Sequence, residues 1–105
     1  MKIQFNTDNN IEGSQRISDY FSTLIAKKLS RFETQITRVE VFLSDQDGSK
    51  SGLDDKKCTL EVRLKSLQPI AVTNQGSTNE DAIKGAVDKI KTALDTTLGR
   101  LKEYK

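Results

Sequence analysis

The sequence predicts an α+β fold in the order β-α-β-β-β-α, a four-stranded mixed sheet with two helices packed on one face. Three observations predict it. Several short segments alternate apolar and polar side chains, the period of a half-buried strand. Two longer segments repeat apolar residues at three and four, the spacing of a single helical stripe. Each strand also has just one apolar face, so the economical arrangement puts both helices on that face.

The elements follow in order. Lys2-Ile3-Gln4-Phe5-Asn6-Thr7 alternates, and Asp8-Asn9-Asn10 ends it. From Ser14, a plausible N-cap, the residues Ile17, Tyr20, Phe21, Leu24, Ile25, Leu29 and Phe32 form one stripe of a helix closing between Arg31 and Glu33. Alternation returns at Arg38-Val39-Glu40-Val41-Phe42-Leu43, with Val39, Val41 and Leu43 pointing one way. Residues 45–55 combine two glycines with four acids, Asp45, Asp47, Asp54 and Asp55, and predict a long, mobile hairpin connection. A third strand sets Cys58, Leu60, Val62 and Leu64 inward against Lys57, Thr59, Glu61, Arg63 and Lys65. Ser66 to Pro69 turns the chain into a short fourth strand marked by Ile70 and Val72 and ending at Gly76. Ser77-Thr78-Asn79-Glu80 reads as a capping box, with Glu80 reaching back to the cap. The helix it opens carries Ala82, Ile83, Ala86, Val87, Ile90, Ala93, Leu94, Leu98 and Leu101 at helical spacing. The first two strands, joined through a helix, are expected to run parallel, and the later ones to form antiparallel hairpins.

Length and composition bound the function. At 105 residues the chain is expected to form one domain, 1–105, with no second core. Apolar residues supply 34% and charged residues 30%, a lean but foldable balance. The opening Met1-Lys2-Ile3-Gln4 has no apolar export segment, and no stretch reaches the roughly 18 apolar residues of a membrane span. Cys58 is the single cysteine, which fits a reducing, cytoplasmic setting. With no histidine, there is no imidazole to ligate zinc or to activate Cys58 or a serine, so most hydrolase mechanisms are excluded together. We therefore expect a binding protein that is not an enzyme and uses no cofactor, metal or small-molecule substrate. Asp45-Gln46-Asp47-Gly48 fails as a calcium loop, because the sixth and twelfth positions are Lys50 and Lys56. Cys58, on an inward strand face, reads as a small core hydrophobe.

The net charge of +2 does not by itself indicate nucleic-acid binding; only its distribution can. On the first helix, Lys27 and Arg31 fall together beside the apolar stripe, and Lys28 projects into the stripe, so it must snorkel out or the helix must already be ending there. Last-turn cations also complement the helix dipole without any ligand. On the second helix, Lys84, Lys91 and Lys102 line one edge of the stripe and Lys89 and Arg100 the other, while Asp81, Asp88 and Asp95 form an acidic ridge on the outward back. A phosphate backbone could meet the flanks and would be repelled by the ridge.

Taken together, Met1-Lys2-Ile3-Gln4 with Asn9-Asn10-Ile11-Glu12, Ala26-Lys27-Lys28-Leu29-Ser30-Arg31-Phe32, and Asp81-Ala82-Ile83-Lys84 with Val87-Asp88-Lys89-Ile90 resemble the ribosome hibernation promoting factors and ribosome-associated translation inhibitors. The likeness covers the whole chain. It implies a protein, monomeric in isolation, that docks in the decoding region of the small ribosomal subunit against its rRNA and stops translation. It assigns Lys27, Lys28 and Arg31 to the basic end of the first helix and Lys89 to an Asp-Lys pair. Lys84 and Lys91 lie in the same region. This chain departs from the family where the second helix has Thr92, Asp95, Thr96, Thr97 and Leu98 in place of further cations and in its longer acidic 45–55 loop, and it is expected to lack the separate C-terminal domain of long members. The alternative reading is a protein-interaction module on the same fold that binds a protein partner through its acidic loop or open sheet face. A third is a general double-stranded RNA binder.

Overall fold

The computed structural model describes residues 1–7, 14–45 and 56–103, without the side chains of Ser14, Gln15, Asp45 and residues 100–103. Asp45, expected to open the long connection, instead ends the second strand, and the rest of that connection, residues 46–55, lies with its expected mobility outside the described residues, as do the side chains of Arg100, Leu101 and Lys102. β1 (Lys2–Thr7), α1 (Ser14–Lys28), a 3-10 turn (Ser30–Phe32), β2 (Ile36–Asp45), β3 (Lys56–Leu64), β4 (Ile70–Gly76) and α2 (Asn79–Glu103) follow in the expected order. The four strands form one sheet in the order β1-β2-β3-β4. β1 runs parallel to β2, and the β2/β3 and β3/β4 pairs are antiparallel.

Alternation along the strands is what layers the molecule. Val39, Val41 and Leu43 of β2 and Cys58, Leu60, Val62 and Leu64 of β3 are buried on one face, in a single cluster with Phe21 and Ile25 of α1, Leu29 just after it, and Ala82, Ile83, Ala86, Val87, Ile90 and Leu94 of α2. Both helices thus cover the same side, α2 over β3 and β4 and α1 toward β1. Val72 is partly buried beneath them. The intervening residues face water, and Phe42 is 45% exposed on that open face.

Four local details differ from the periodic reading. β2 begins at Ile36, two residues before the alternating run, through a register shift between Ile36 and Arg38. Strict alternation would turn Ile36 away from Val39 and Val41; the extra residue restores it to the buried face. The first α-helix stops at Lys28. Leu29 leaves helical geometry (φ −101°, ψ 10°), and the 3-10 turn carries Arg31 and buries Phe32. Tyr20, expected on the stripe, is 58% exposed. It stands at the stripe's margin with its ring edge-on to Phe21, centroids 4.9 Å apart and planes at 76°, leaving the hydroxyl in water. The cap of α2 is Thr78, whose Oγ1 accepts from the Asp81 amide at 3.0 Å. Glu80 instead reaches forward to Lys84. The capping hydroxyl is thus one residue later than Ser77, because the cap bonds the third helical amide and the helix starts at Asn79.

Candidate nucleic-acid interface

The end of α1 is set by its own burial requirements. Leu29 and Phe32 are both in the core, so the residues between and beside them, Lys28, Ser30 and Arg31, are forced outward. Lys27 and Lys28 form the basic last turn of α1, where they complement the carbonyl end of the helix. Both are exposed, and termination at Lys28 resolves the conflict of a lysine on the apolar stripe. Arg31 lies beyond the break and not one α-helical turn after Lys27. Its guanidinium carbon sits 4.6 Å from the centroid of the Phe32 ring, a cation–π contact on a buried platform.

Arg31 also meets α2. Its Nη2 donates to Asp95 Oδ1 at 2.5 Å, and the two side chains remain 59% and 54% exposed. The seven-residue spacing of Asp81, Asp88 and Asp95 places all three on an outward ridge. Asp95, however, leans to the flank that faces the close of α1.

That contact orients α2. At about 100° per residue, Lys91 and Asp95, four apart, share a flank, so Lys91 lies on the α1 side. Lys84 is on the same flank, about 10 Å nearer the start of α2, and its Nζ is 3.4 Å from Glu80 Oε2. Lys89 lies on the opposite flank, where its Nζ donates to the Thr73 carbonyl of β4 at 2.9 Å. Of the six candidate residues, Arg31 contacts α2 directly, Lys27 and Lys28 precede it at the close of α1, and Lys91 shares the α2 flank of its partner Asp95. Lys84 stands at a distance along the same side, and Lys89 turns away toward the sheet. Lys27, Lys28 and Lys91 form no ion pair with another described residue, whereas Arg31 and Lys84 each face a carboxylate.

Periodicity alone missed two members of this arrangement, Asp95 as the partner of Arg31 and Phe32 as its platform. The signal available was that Asp95 follows Lys91 by one turn, and it could be used only once the position of α1 was known.

The open sheet face differs in its electrostatics. Glu40 lies 3.3 Å from Arg38 and 3.9 Å from Arg63, and Arg63 is 3.3 Å from Glu61. Arg38 also donates to the Gln4 amide oxygen. Arg38 and Arg63 are each paired with an acid of their own strand, Glu40 and Glu61, and among these pairs only Arg63–Glu40 crosses from β3 to β2; such exposed pairs stabilise the sheet surface modestly. Among the described residues no group of three or more acidic or cysteine side chains could hold a metal ion, and no helix is long and apolar enough to cross a membrane.

Comparison with known proteins matches this architecture. Among solved structures, a ribosomal subunit interface protein from Coxiella burnetii superposes with a TM-score of 0.69 at 18% identity, covering 94% of this chain and 99% of its own. The N-terminal domain of Thermus thermophilus Protein Y gives 0.67 at 24% identity, covering 92% of this chain and 99% of its own. At these identities the likeness establishes the shared fold. No match was found among curated proteins. The family model described as sigma 54 modulation protein / S30EA ribosomal protein matches residues 3–102. With nearly every described element inside that match, the chain belongs to the sigma 54 modulation protein / S30EA ribosomal protein family, the hibernation-factor family its sequence resembles.

Proposed function

We propose that this protein binds the small ribosomal subunit in the cytoplasm, at the decoding region, and inhibits translation there without catalysing a reaction. The observation that carries this reading is the contact of Arg31 with Asp95, which brings the basic close of α1, Lys27, Lys28 and Arg31, against the α2 flank that carries Lys91, in a chain whose family is named for an S30EA ribosomal protein. Cations at the end of one helix and on the facing flank of another suit two runs of rRNA phosphate better than base edges. The binding would be mainly electrostatic, with phosphate contacts fixing the pose and counterion release supplying affinity. The assignment to the decoding region rests on the sequence resemblance.

A second reading, a protein-interaction module, draws support from Phe42 on the open sheet face and from the neutralisation of Arg31 by Asp95. Pelleting the protein with purified small and large subunits near 50 mM salt, beside an in vitro translation assay, separates the two. Our reading expects pelleting with small subunits and a drop in translation. Failure to pellet with small subunits at that salt would hand the fold to the protein-partner reading.

A further inference from the structure

Asp95 occupies the guanidinium that the proposed interface would use. Arg31 is fixed from below by the Phe32 ring at 4.6 Å and from the side by Asp95 Oδ1 at 2.5 Å, yet more than half of each charged side chain remains open to water. An exposed pair of this kind contributes only about 0 to 1 kcal/mol, because water and salt screen it. A phosphate offers Arg31 the same fork-shaped acceptor with more charge. The carboxylate can therefore be exchanged for a phosphate, while the aromatic platform keeps the guanidinium in place.

We propose that Asp95 acts as a resident counter-anion for Arg31, one that an incoming nucleic-acid phosphate must displace, and that it thereby sets the affinity and salt sensitivity of the interface. This inference rests on the RNA-binding reading above. Exchange has a distinct signature. When phosphate replaces Asp95, the freed carboxylate is left beside the nucleic acid, so Arg31 adds almost nothing to the net charge neutralised. With Asp95 made neutral, Arg31 counts as a full cation. Lys91, one turn before Asp95 on the same flank, feels the same change.

The test is a cycle of four proteins: wild type, Asp95→Asn, Arg31→Ala and the double variant. Each is titrated against purified small subunits at several salt concentrations. Asp95 is exposed on a helix surface, so Asp95→Asn leaves the fold intact, which circular dichroism checks. We expect Asp95→Asn to tighten binding about two- to five-fold at low salt, the fold-change equivalent to a surface pair. It should also steepen the slope of log affinity against log salt by about 0.7 to 0.9 of a unit, one additional phosphate contact. In the Arg31→Ala background most of both effects should vanish. If Asp95→Asn weakens binding, Asp95 positions Arg31 and does not compete for it. Equal tightening with and without Arg31 would show a general field effect. Either result overturns the exchange. Absence of binding by the wild type and by Asp95→Asn alike would instead reject the ribosome reading itself, so the two failures are distinguishable.

Discussion

The Asn74 side chain of β4 lies directly against Gly85 of α2. Its Nδ2 donates to the Asp81 carbonyl at 3.3 Å and the Ala82 carbonyl at 3.1 Å, and a Cβ on Gly85 would collide with that amide. A glycine inside a helix usually weakens it by about 1 kcal/mol relative to alanine; here it opens the space through which strand and helix are cross-linked. In the wild-type background, Gly85→Ala should therefore fail to stabilise the protein, since the helix gain is offset by the loss of two hydrogen bonds worth roughly 1 kcal/mol each. In an Asn74→Ala background the same substitution should stabilise by about 1 kcal/mol. Chemical denaturation of the four proteins checks this, and the same stabilisation in both backgrounds would contradict it.

Leu60 is fully buried and paired in register with Val41 on one side and Val72 on the other, beneath the helices. Leu60→Ala should cost about 2 to 5 kcal/mol, the lost transfer energy plus the cavity left behind. A change below about 1 kcal/mol in denaturant unfolding would be incompatible with its place in the core.

Burial pushes the Cys58 thiol up from its ordinary value of 9.0 to about 12. The neutral form is the one the core tolerates. Below pH 9 the folded and unfolded chains both hold the proton, and this group adds no pH dependence. Between about 9 and 12 the unfolded chain releases it while the folded chain keeps it, so stability falls as pH rises, by up to about 1.4 kcal/mol per pH unit. Cys58→Ala should remove that part of the slope between pH 9 and 10.5, whatever its effect on stability at neutral pH. In the native protein, iodoacetamide at pH 8 should leave Cys58 unmodified, and alkylation as fast as in denaturant would contradict the burial.

Much of the fold was legible because each element agrees with its own period. The buried faces of β2 and β3, the apolar stripe of α2 and the exposure of Phe42 all follow from alternation or from three-four spacing. What escaped the sequence depends on single residues that break a period for a tertiary reason. Ile36 was invisible as a strand residue because it is out of phase with Val39 unless a bulge intervenes. The break at Leu29 was hidden because Leu29 and Phe32 keep helical spacing even though the chain there tightens to a 3-10 turn. The candidate site was legible as residue types and only half legible as geometry. Helical spacing sorted Lys84 and Lys91 from Lys89, but only the contact of Arg31 with Asp95 shows which flank meets α1.

That geometry separates lysines two residues apart. Lys91→Ala should weaken small-subunit binding more than Lys89→Ala, because Lys91 shares the α1 side and Lys89 is turned to the Thr73 carbonyl. Each change should alter stability by no more than about half a kcal/mol, as surface substitutions do. Equal losses of affinity from the two variants would remove the helix junction as the contact surface.

The central claim is tested most directly by the salt dependence of small-subunit binding for the wild type and for a Lys27→Ala, Lys28→Ala, Arg31→Ala triple variant, measured upward from about 50 mM. The account predicts that the wild type binds and loses affinity steeply with salt. The folded triple variant should bind much more weakly, with a slope flatter by about two units, one for each lysine, since Asp95 already compensates Arg31. A wild-type protein that binds with no salt dependence, or a triple variant with unchanged affinity and slope, would contradict it.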